Sequence, residues 1–150
     1  MKIGGVELKS CEEVLVLPRI SGDIIIRAQA VTDMSAFDAL CPAPVAPGIR
    51  TKDGFKPNLK DENYIALADH YSAQRLAFMV IKSLTPSEIE WEKVKLEDPS
   101  TWLEWTKELK DGGMSDVECN RIIMCVMQAN SLDEEKLKLA REVFLRGQGK

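Results

Sequence analysis

The sequence predicts an α+β protein that is mostly α-helical, with an N-terminal β-hairpin at about residues 12–31, a proline-rich linker and a C-terminal bundle of about four helices. Three observations support this prediction. Aliphatic residues alternate near the N-terminus, prolines crowd the segment after the hairpin, and capped amphipathic segments follow from residue 61 onwards. The chain therefore divides into residues 1–41, a linker at 42–60 and a helical domain at 61–150.

The hairpin is predicted from two aliphatic runs separated by turn residues. The first run, residues 14–17, is Val-Leu-Val-Leu, and Pro18 should end it because proline cannot donate a ladder hydrogen bond. Residues 21–23, Ser-Gly-Asp, supply the turn, and the second run, residues 24–31, alternates between two faces. A short third strand is predicted at residues 6–8.

The segment after the hairpin should contain a short helix and then an extended linker. The helix is predicted at residues 34–40, with Phe37 and Leu40 facing inward. Three prolines then follow within six residues and hold the backbone near polyproline II. This stretch fits either a recognised PxxP ligand at residues 44–47 or a rigid spacer, and we favour the spacer. Residues 42–60 are therefore predicted to be a linker or an ordered loop.

Four helices are predicted in the C-terminal region. The first spans residues 61–84, and its apolar arc is wide enough to be contacted on more than one side. Each of the other three has its own start signal. These signals are Asp98-Pro99, a Ser115–Glu118 capping box and a Ser131–Glu134 capping box, while glycines at 112, 113 and 147 end the second and fourth helices.

Composition and charge exclude several classes of function. The formal net charge is −4, and residues 85–150 carry all of it, with 14 acids against 10 bases. No Lys/Arg stripe suits a phosphate backbone, and no apolar run approaches the ~20 residues of a membrane span. Residues 1–10 lack the apolar core of a secretory signal. The four cysteines are widely spaced, which predicts a reduced, cytoplasmic environment.

The side chains do not form a pattern that is typical of a catalytic or metal site. His70 is the single histidine and has no nucleophile or orienting acid near it in the sequence. Cys119 and Cys125 are six residues apart on a helix, so at ~100° per residue they point in different directions and cannot share one metal ion. We therefore expect no enzymatic activity, no cofactor and no metal.

Three tryptophans fall within fifteen residues of one another, at positions 91, 102 and 105. Tryptophan is enriched at binding hot spots, but a small helical domain with few other aromatic residues also needs tryptophans in its core. We expect at least two of them to be core residues, with Trp91 the most exposed. Apolar residues of the capped helices complete the set of candidate partner-binding residues. The set is Trp91, Trp102, Trp105, Met114, Ile122, Met127 and Phe144.

Several segments, which together cover most of the chain, resemble small proteins encoded in the tail modules of long-tailed bacteriophages. They are LPR…GDIIIRAQAV, FDALCPAPVAP, YSAQRLAFMVIKSL, IEWEKVKLEDPSTWLEW and GMSDVECNRII…QANSLDEEKLKLAREVFLRGQ. The last of them resembles tail assembly chaperones, which carry the motif Gly-hydrophobic-Ser-x-x-Glu-x-Asn-x-hydrophobic, followed by Asn-x-Leu-Asp. In this chain the motif residues are Gly113, Met114, Ser115, Glu118, Asn120, Ile122, Asn130, Leu132 and Asp133.

The resemblance implies a non-catalytic role in the cytoplasm of an infected bacterial host. Tail assembly chaperones bind the long helical tape measure protein, keep it soluble, recruit tail tube subunits and are usually absent from the finished virion. Many of their genes also encode a longer frameshifted product, with which residues 148–150, Gln-Gly-Lys, are compatible. The alternatives are a structural virion subunit of the tail, baseplate or connector, and a small host-directed enzyme or inhibitor. The sequence leaves the oligomeric state open, including a homo-oligomer.

Overall fold

The computed structural model of the chain describes residues 1–131 and 133–148. Its strands form three separate two-stranded antiparallel ribbons. The strands are β1 (Lys2–Ile3), β2 (Val6–Glu7), β3 (Glu12–Leu17), β4 (Ile24–Gln29), β5 (Gly48–Thr51) and β6 (Gly54–Pro57). The helices are α1 (Ser35–Leu40), α2 (Glu62–Ser83), α3 (Trp105–Asp111), α4 (Asp116–Ala129) and α5 (Glu134–Gln148), with 3₁₀ helices at Thr85–Ser87 and Pro99–Glu104. The predicted mostly α-helical α+β fold is confirmed.

The β3–β4 hairpin forms where the alternating pattern predicts it. Its inner face buries Leu17, Ile26 and Ala28, while the intervening residues of both strands are exposed. This alternation follows from the two-residue period of a strand, which sends successive side chains to opposite faces. The hairpin packs its inner face against α4, so the apolar residues of both strands join the core of the helical region.

An aromatic cluster lies at the centre of that core. Phe37 of α1 lies 5.6 Å from Phe78 of α2 and 5.8 Å from Trp102 of the second 3₁₀ helix, between ring centroids. The Phe78 and Trp102 rings are 5.0 Å apart, and all three side chains are fully buried. These tilted arrangements are the ones that aromatic quadrupoles prefer. One core therefore joins residues from the 1–41 and 61–150 parts of the chain.

A chain of buried hydrogen bonds joins the hairpin to α2 and α4. The Asn130 Oδ1 accepts from the Val31 N–H at 2.8 Å, and its Nδ2 donates to the Ser83 Oγ at 3.3 Å. Ser83 is almost fully buried and donates in turn to the Gln29 carbonyl at 2.7 Å. Because each polar group has a partner, the apolar surroundings do not penalise the burial of these groups.

The other end of the hairpin is held by an ion pair. The Arg19 guanidinium makes two 2.7 Å contacts with the Glu118 carboxylate at the start of α4. Glu118 also accepts from the Ser115 N–H, which completes the capping box that the sequence predicts at this position. The hydrogen bond from Arg19 lowers the pKa of Glu118. The first turn of α4 is therefore both capped and tied to the hairpin.

Helix α2 has two different halves. Asp61 caps it by accepting from the Tyr64 N–H at 2.9 Å, and the helix covers almost the whole range predicted for it. Its C-terminal half is buried from Ala77 onwards, but Leu67, which the apolar pattern places on its inner stripe, is 58% exposed. Only the C-terminal half is therefore contacted on several sides, as the wide apolar arc predicts.

Some predictions of local structure are wrong. Ser131 has a φ of 56° and does not open a capping box; instead, Asp133 Oδ1 accepts from the Lys136 N–H at 3.2 Å before α5. Gly147 lies inside α5 and does not end it. Leu40 is 41% exposed because α1 turns only Phe37 towards the core.

Two exposed ribbons also differ from the prediction. The predicted third strand near residue 6 exists, but it pairs with β1 in a separate ribbon and leaves the main hairpin two-stranded. Within residues 42–60, the linker prediction missed the β5–β6 hairpin. Gly54, with a φ of 109°, follows Asp53 in its turn, and this Asp-Gly pair is itself a hairpin signal. All residues of both ribbons are exposed.

The aromatic cluster predicts a clear difference between two tryptophan substitutions. Trp102→Ala should lower the free energy of unfolding by about 3–5 kcal/mol, since it empties the centre of the core. Trp91→Ala, at a half-buried position, should cost less than half as much. Chemical denaturation of both variants measures the difference, and equal losses would contradict the assignment of Trp102 to the centre of the core.

Candidate protein-binding surfaces

A large uncovered apolar surface lies on α5. At about 100° per residue, most of its large apolar residues fall within about half of the helix circumference, while most charged residues and Leu145 lie on the other side. The apolar side chains on the first side are all at least 52% exposed. They are Leu137, Leu139, Val143 and Phe144. We call these four residues the α5 face.

Helix α5 contacts the hairpin near its start. The Lys136 Nζ lies 3.6 Å from the Glu13 Oε1 in β3, and both side chains remain partly exposed. Beside this pair, a groove of about 270 Å³ separates Leu137 and Ala140 from Glu12 and Glu13. Every side chain of α5, from Glu134 to Gln148, is exposed. The helix therefore does not join the predicted bundle, and the α5 face is open to solvent.

A second apolar surface is a cleft of about 460 Å³ between the hairpin, the loop before the second 3₁₀ helix and α3. Its apolar lining combines half-buried residues from four parts of the chain. They are Ile24, Ile89, Trp91, Leu109 and Met114. The charged residues around it are mostly acidic, with Glu90, Glu92, Glu108 and Asp111 against Arg19 and Lys93. The cleft is thus suited to an apolar side chain that is flanked by positive charge.

The wall of this cleft is fixed by one carboxylate. Glu108 of α3 accepts hydrogen bonds from the backbone N–H groups of three consecutive residues: Glu92, Lys93 and Val94. Burial alone would raise the pKa of Glu108, but these three donors stabilise the charged form and the net result is a lowered pKa. The loop that carries Trp91 is therefore held against α3.

The structure places the predicted partner-binding residues in three different environments. Trp102, Trp105 and Ile122 are buried in the core, so their side chains are not accessible to a partner. Met127 is half-buried on α4. Trp91 and Met114 come together in the cleft, and Phe144 lies on the α5 face. The expectation that at least two tryptophans are core residues, with Trp91 the most exposed, is confirmed.

The structure also adds residues that the sequence did not single out. Leu139 is an exposed member of the α5 face, and Glu108 anchors the loop that carries Trp91. In the sequence, the apolar side of α5 is indicated by its amphipathic pattern, and that pattern predicts a packed helix. A periodic pattern shows which side of a helix is apolar, but it does not show whether the same chain covers that side.

The cysteines and the histidine do not come together. Cys119 and Cys125 are buried, and burial raises the pKa of both thiols, which disfavours the reactive thiolate. His70 is exposed on the free half of α2. Over residues 1–131 and 133–148, His, Cys, Asp and Glu side chains do not form a group of three or more that could hold a metal. No helix in this part of the chain has both the length and the apolarity to cross a membrane.

The bacteriophage-like motif falls on α4 and the segment after it. Ser115 and Glu118 form the capping box, and Asn130 forms the hydrogen bonds that connect α4 to the hairpin. Leu132 lies outside the described residues, as do Gly149 and Lys150. The sequence matches no protein-family model, no curated protein and no solved structure.

The Glu108 contacts predict a pH dependence. A lowered folded-state pKa means that this carboxylate adds stability above its unfolded pKa, and that this stability is lost as pH falls through the folded pKa. Glu108→Gln should therefore reduce the loss of unfolding free energy between about pH 6 and pH 3. Denaturant titrations at both pH values measure this.

The matched control for this prediction is Glu104→Gln, which neutralises an exposed carboxylate just before α3. This variant should keep the pH dependence of the unsubstituted protein. An unchanged pH dependence in Glu108→Gln would contradict the claim that the three backbone donors stabilise the charged carboxylate.

Proposed function

We propose that this protein is a non-catalytic bacteriophage tail assembly chaperone, which binds the tape measure protein and recruits tail tube subunits in the cytoplasm of the infected host. The observation that carries the proposal is the uncovered α5 face, four large apolar side chains that are all more than half exposed. An exposed apolar patch of this kind marks an interaction surface in a protein whose own core is complete.

The chemistry of the α5 face fits an amphipathic helix as its partner. Helix α5 has 15 residues, so it presents about four turns to a partner. A partner helix can lay its own apolar stripe along this surface, with anchors at spacings of three and four residues. In the family that this chain resembles, the partner is a long, helical tape measure protein. Its apolar stripes have to be shielded from water before assembly. The α5 face would supply that cover.

Recruitment of a second partner requires a second surface. The cleft with Trp91 and Met114 is built from the hairpin, α3 and their connecting loops, and it shares no lining residue with α5. Its net acidic rim suits a partner with exposed positive charge beside an apolar side chain. We assign the α5 face to the tape measure protein and this cleft to the tail tube subunit.

The alternative function is a structural subunit of the virion tail, baseplate or connector. The β5–β6 hairpin favours it, because this ribbon projects Phe55 at 78% exposure and all of its residues are exposed. Exposed ribbons of this kind can add strands to a neighbour in an assembly. Mass spectrometry of purified particles separates the two functions. A stoichiometric amount of this protein in mature virions would contradict the chaperone proposal.

The α5 face predicts the outcome of co-expression with a bacteriophage tape measure protein. The unsubstituted protein should keep the tape measure protein soluble and co-purify with it. The double variant Leu137→Gln and Phe144→Gln should weaken the complex at least about tenfold, since both side chains lose the apolar area that a partner would bury. Soluble yield and binding by calorimetry measure the loss.

The matched control places the same residue type on the opposite side of α5. Lys138→Gln with Glu142→Gln leaves the net charge unchanged and should bind as the unsubstituted protein does. No co-purification with the unsubstituted protein, or equal weakening in both double variants, would contradict the proposal.

A further inference from the structure

One edge of the main hairpin has unpaired backbone groups. In an antiparallel ladder, alternate residues direct both their N–H and C=O towards the partner strand, and the residues between them direct both outward. The Ala30 N–H donates to the Cys11 carbonyl at 2.9 Å, which makes this pair an inward-bonding one. With the observed register, Glu12, Val14 and Val16 therefore direct their backbone groups away from β4.

Hydrogen bonds on the other side of the hairpin confirm this alternation. Arg27, the cross-strand neighbour of Val14, donates its N–H to the Ser87 Oγ and accepts from the same hydroxyl, both at 2.7 Å. The Gln29 carbonyl accepts from the Ser83 Oγ. The outer edge of β4 is thus covered by the end of α2 and the turn after it. Towards β3, no described residue bonds to the corresponding groups of Glu12, Val14 or Val16.

The free edge has neither a bulge nor a proline in its paired part, two features that usually prevent strand addition, and its one inner-face charge is Glu13. The β3–β4 pairing runs without a bulge, and Pro18 comes only after the last paired residue. Val14 and Val16 are each about half exposed on the outer face, beside Ile25 of β4. Proteins normally protect such edges with prolines, bulges or inward-pointing charges. A straight edge with exposed valines is a template for another strand.

We propose that this edge pairs with the same edge of a second copy of the chain, antiparallel and centred on Val14. In that register Val14 lies opposite Val14 of the second copy, and Glu12 lies opposite its Val16. Each of these pairs can exchange two hydrogen bonds, so the free groups of all three edge residues are satisfied. The product is a four-stranded sheet with closed two-fold symmetry. This inference does not depend on the proposed function.

Charge and shape on the inner face favour a second copy as the occupant. A groove of about 180 Å³ runs beside β3 and is lined by Glu13, Leu15, Arg121 and Met124, among others. In the proposed register, Glu13 of the second copy, which lies 3.6 Å from its own Lys136, falls opposite Leu15 and brings a second carboxylate to the groove that Arg121 lines. By symmetry the pairing creates this acid–base contact twice. Met124 is 61% exposed on the same side of α4 and would be covered by the neighbouring copy.

The test compares the solution mass of three forms of the full chain by light scattering coupled to size exclusion. The unsubstituted protein should approach twice 16.8 kDa as its concentration rises. Val14→Pro should shift the mass to 16.8 kDa, because proline removes an edge donor that the hairpin itself does not use. Val14→Lys should do the same by placing two ammonium groups across the symmetry axis.

The matched control is Ile25→Lys, on the same outer face but on the covered strand β4, which should remain dimeric. Hydrogen exchange gives the second readout: the amides of Val14 and Val16 should gain protection with concentration in the unsubstituted protein and in Ile25→Lys, and the Val16 amide should gain none in Val14→Pro. A monomer of the unsubstituted protein at all concentrations would overturn the proposal. So would a dimer that survives Val14→Pro, or protection of the Val14 and Val16 amides that arises only with a different protein.

Discussion

The packing of Phe37, Phe78 and Trp102 is the contact on which the rest of the structure depends. The three rings come from α1, α2 and the second 3₁₀ helix, so one cluster fixes elements that are far apart in the sequence. With these elements in place, Ser83 at the end of α2 and Asn130 at the end of α4 can form hydrogen bonds with the hairpin and the residues after it. The hairpin then lies across α4 with its inner face buried.

This core is compact and leaves several parts of the chain uncovered. The first two turns of α2, the β5–β6 ribbon and all of α5 lie outside it. Apolar side chains on an uncovered helix cost free energy in water, so their retention is understandable when a partner covers them. The same asymmetry holds for the hairpin, where serine hydroxyls hydrogen-bond to the edge of β4 and no described residue hydrogen-bonds to that of β3. Open surfaces of these kinds suit an assembly protein.

The fold could be predicted from the sequence where local chemistry decides the structure. The Ser115–Glu118 capping box, the Asp98 cap and the Ser-Gly-Asp turn need only nearby residues, and each was located correctly. Ser131 has the same local pattern as Ser115, but it adopts a left-handed backbone, and Asp133 takes over the capping role. Two capping signals competed within three residues, and the pattern alone does not rank them.

The candidate surfaces were harder to predict because exposure is decided by contacts between distant segments. Trp91, Trp102 and Trp105 look alike in the sequence, yet only Trp91 reaches a cleft, since the aromatic cluster draws Trp102 into the core. The amphipathic pattern of α5 matches that of a packed helix, and only the three-dimensional structure shows that its apolar side is open. That the backbone groups at the edge of β3 are unpaired follows from the hydrogen bonds between Ser87 and β4, which the sequence alone does not predict.

The central claim is that the core is complete without α5, whose apolar face is available to a partner. The most direct test is the free energy of unfolding of a chain that ends at Ser131, compared with the full chain at matched concentration. The truncated chain should lose less than about 1 kcal/mol, since α5 buries no side chain. A loss of several kcal/mol would contradict the claim, because it would mean that the α5 face packs against the rest of the protein.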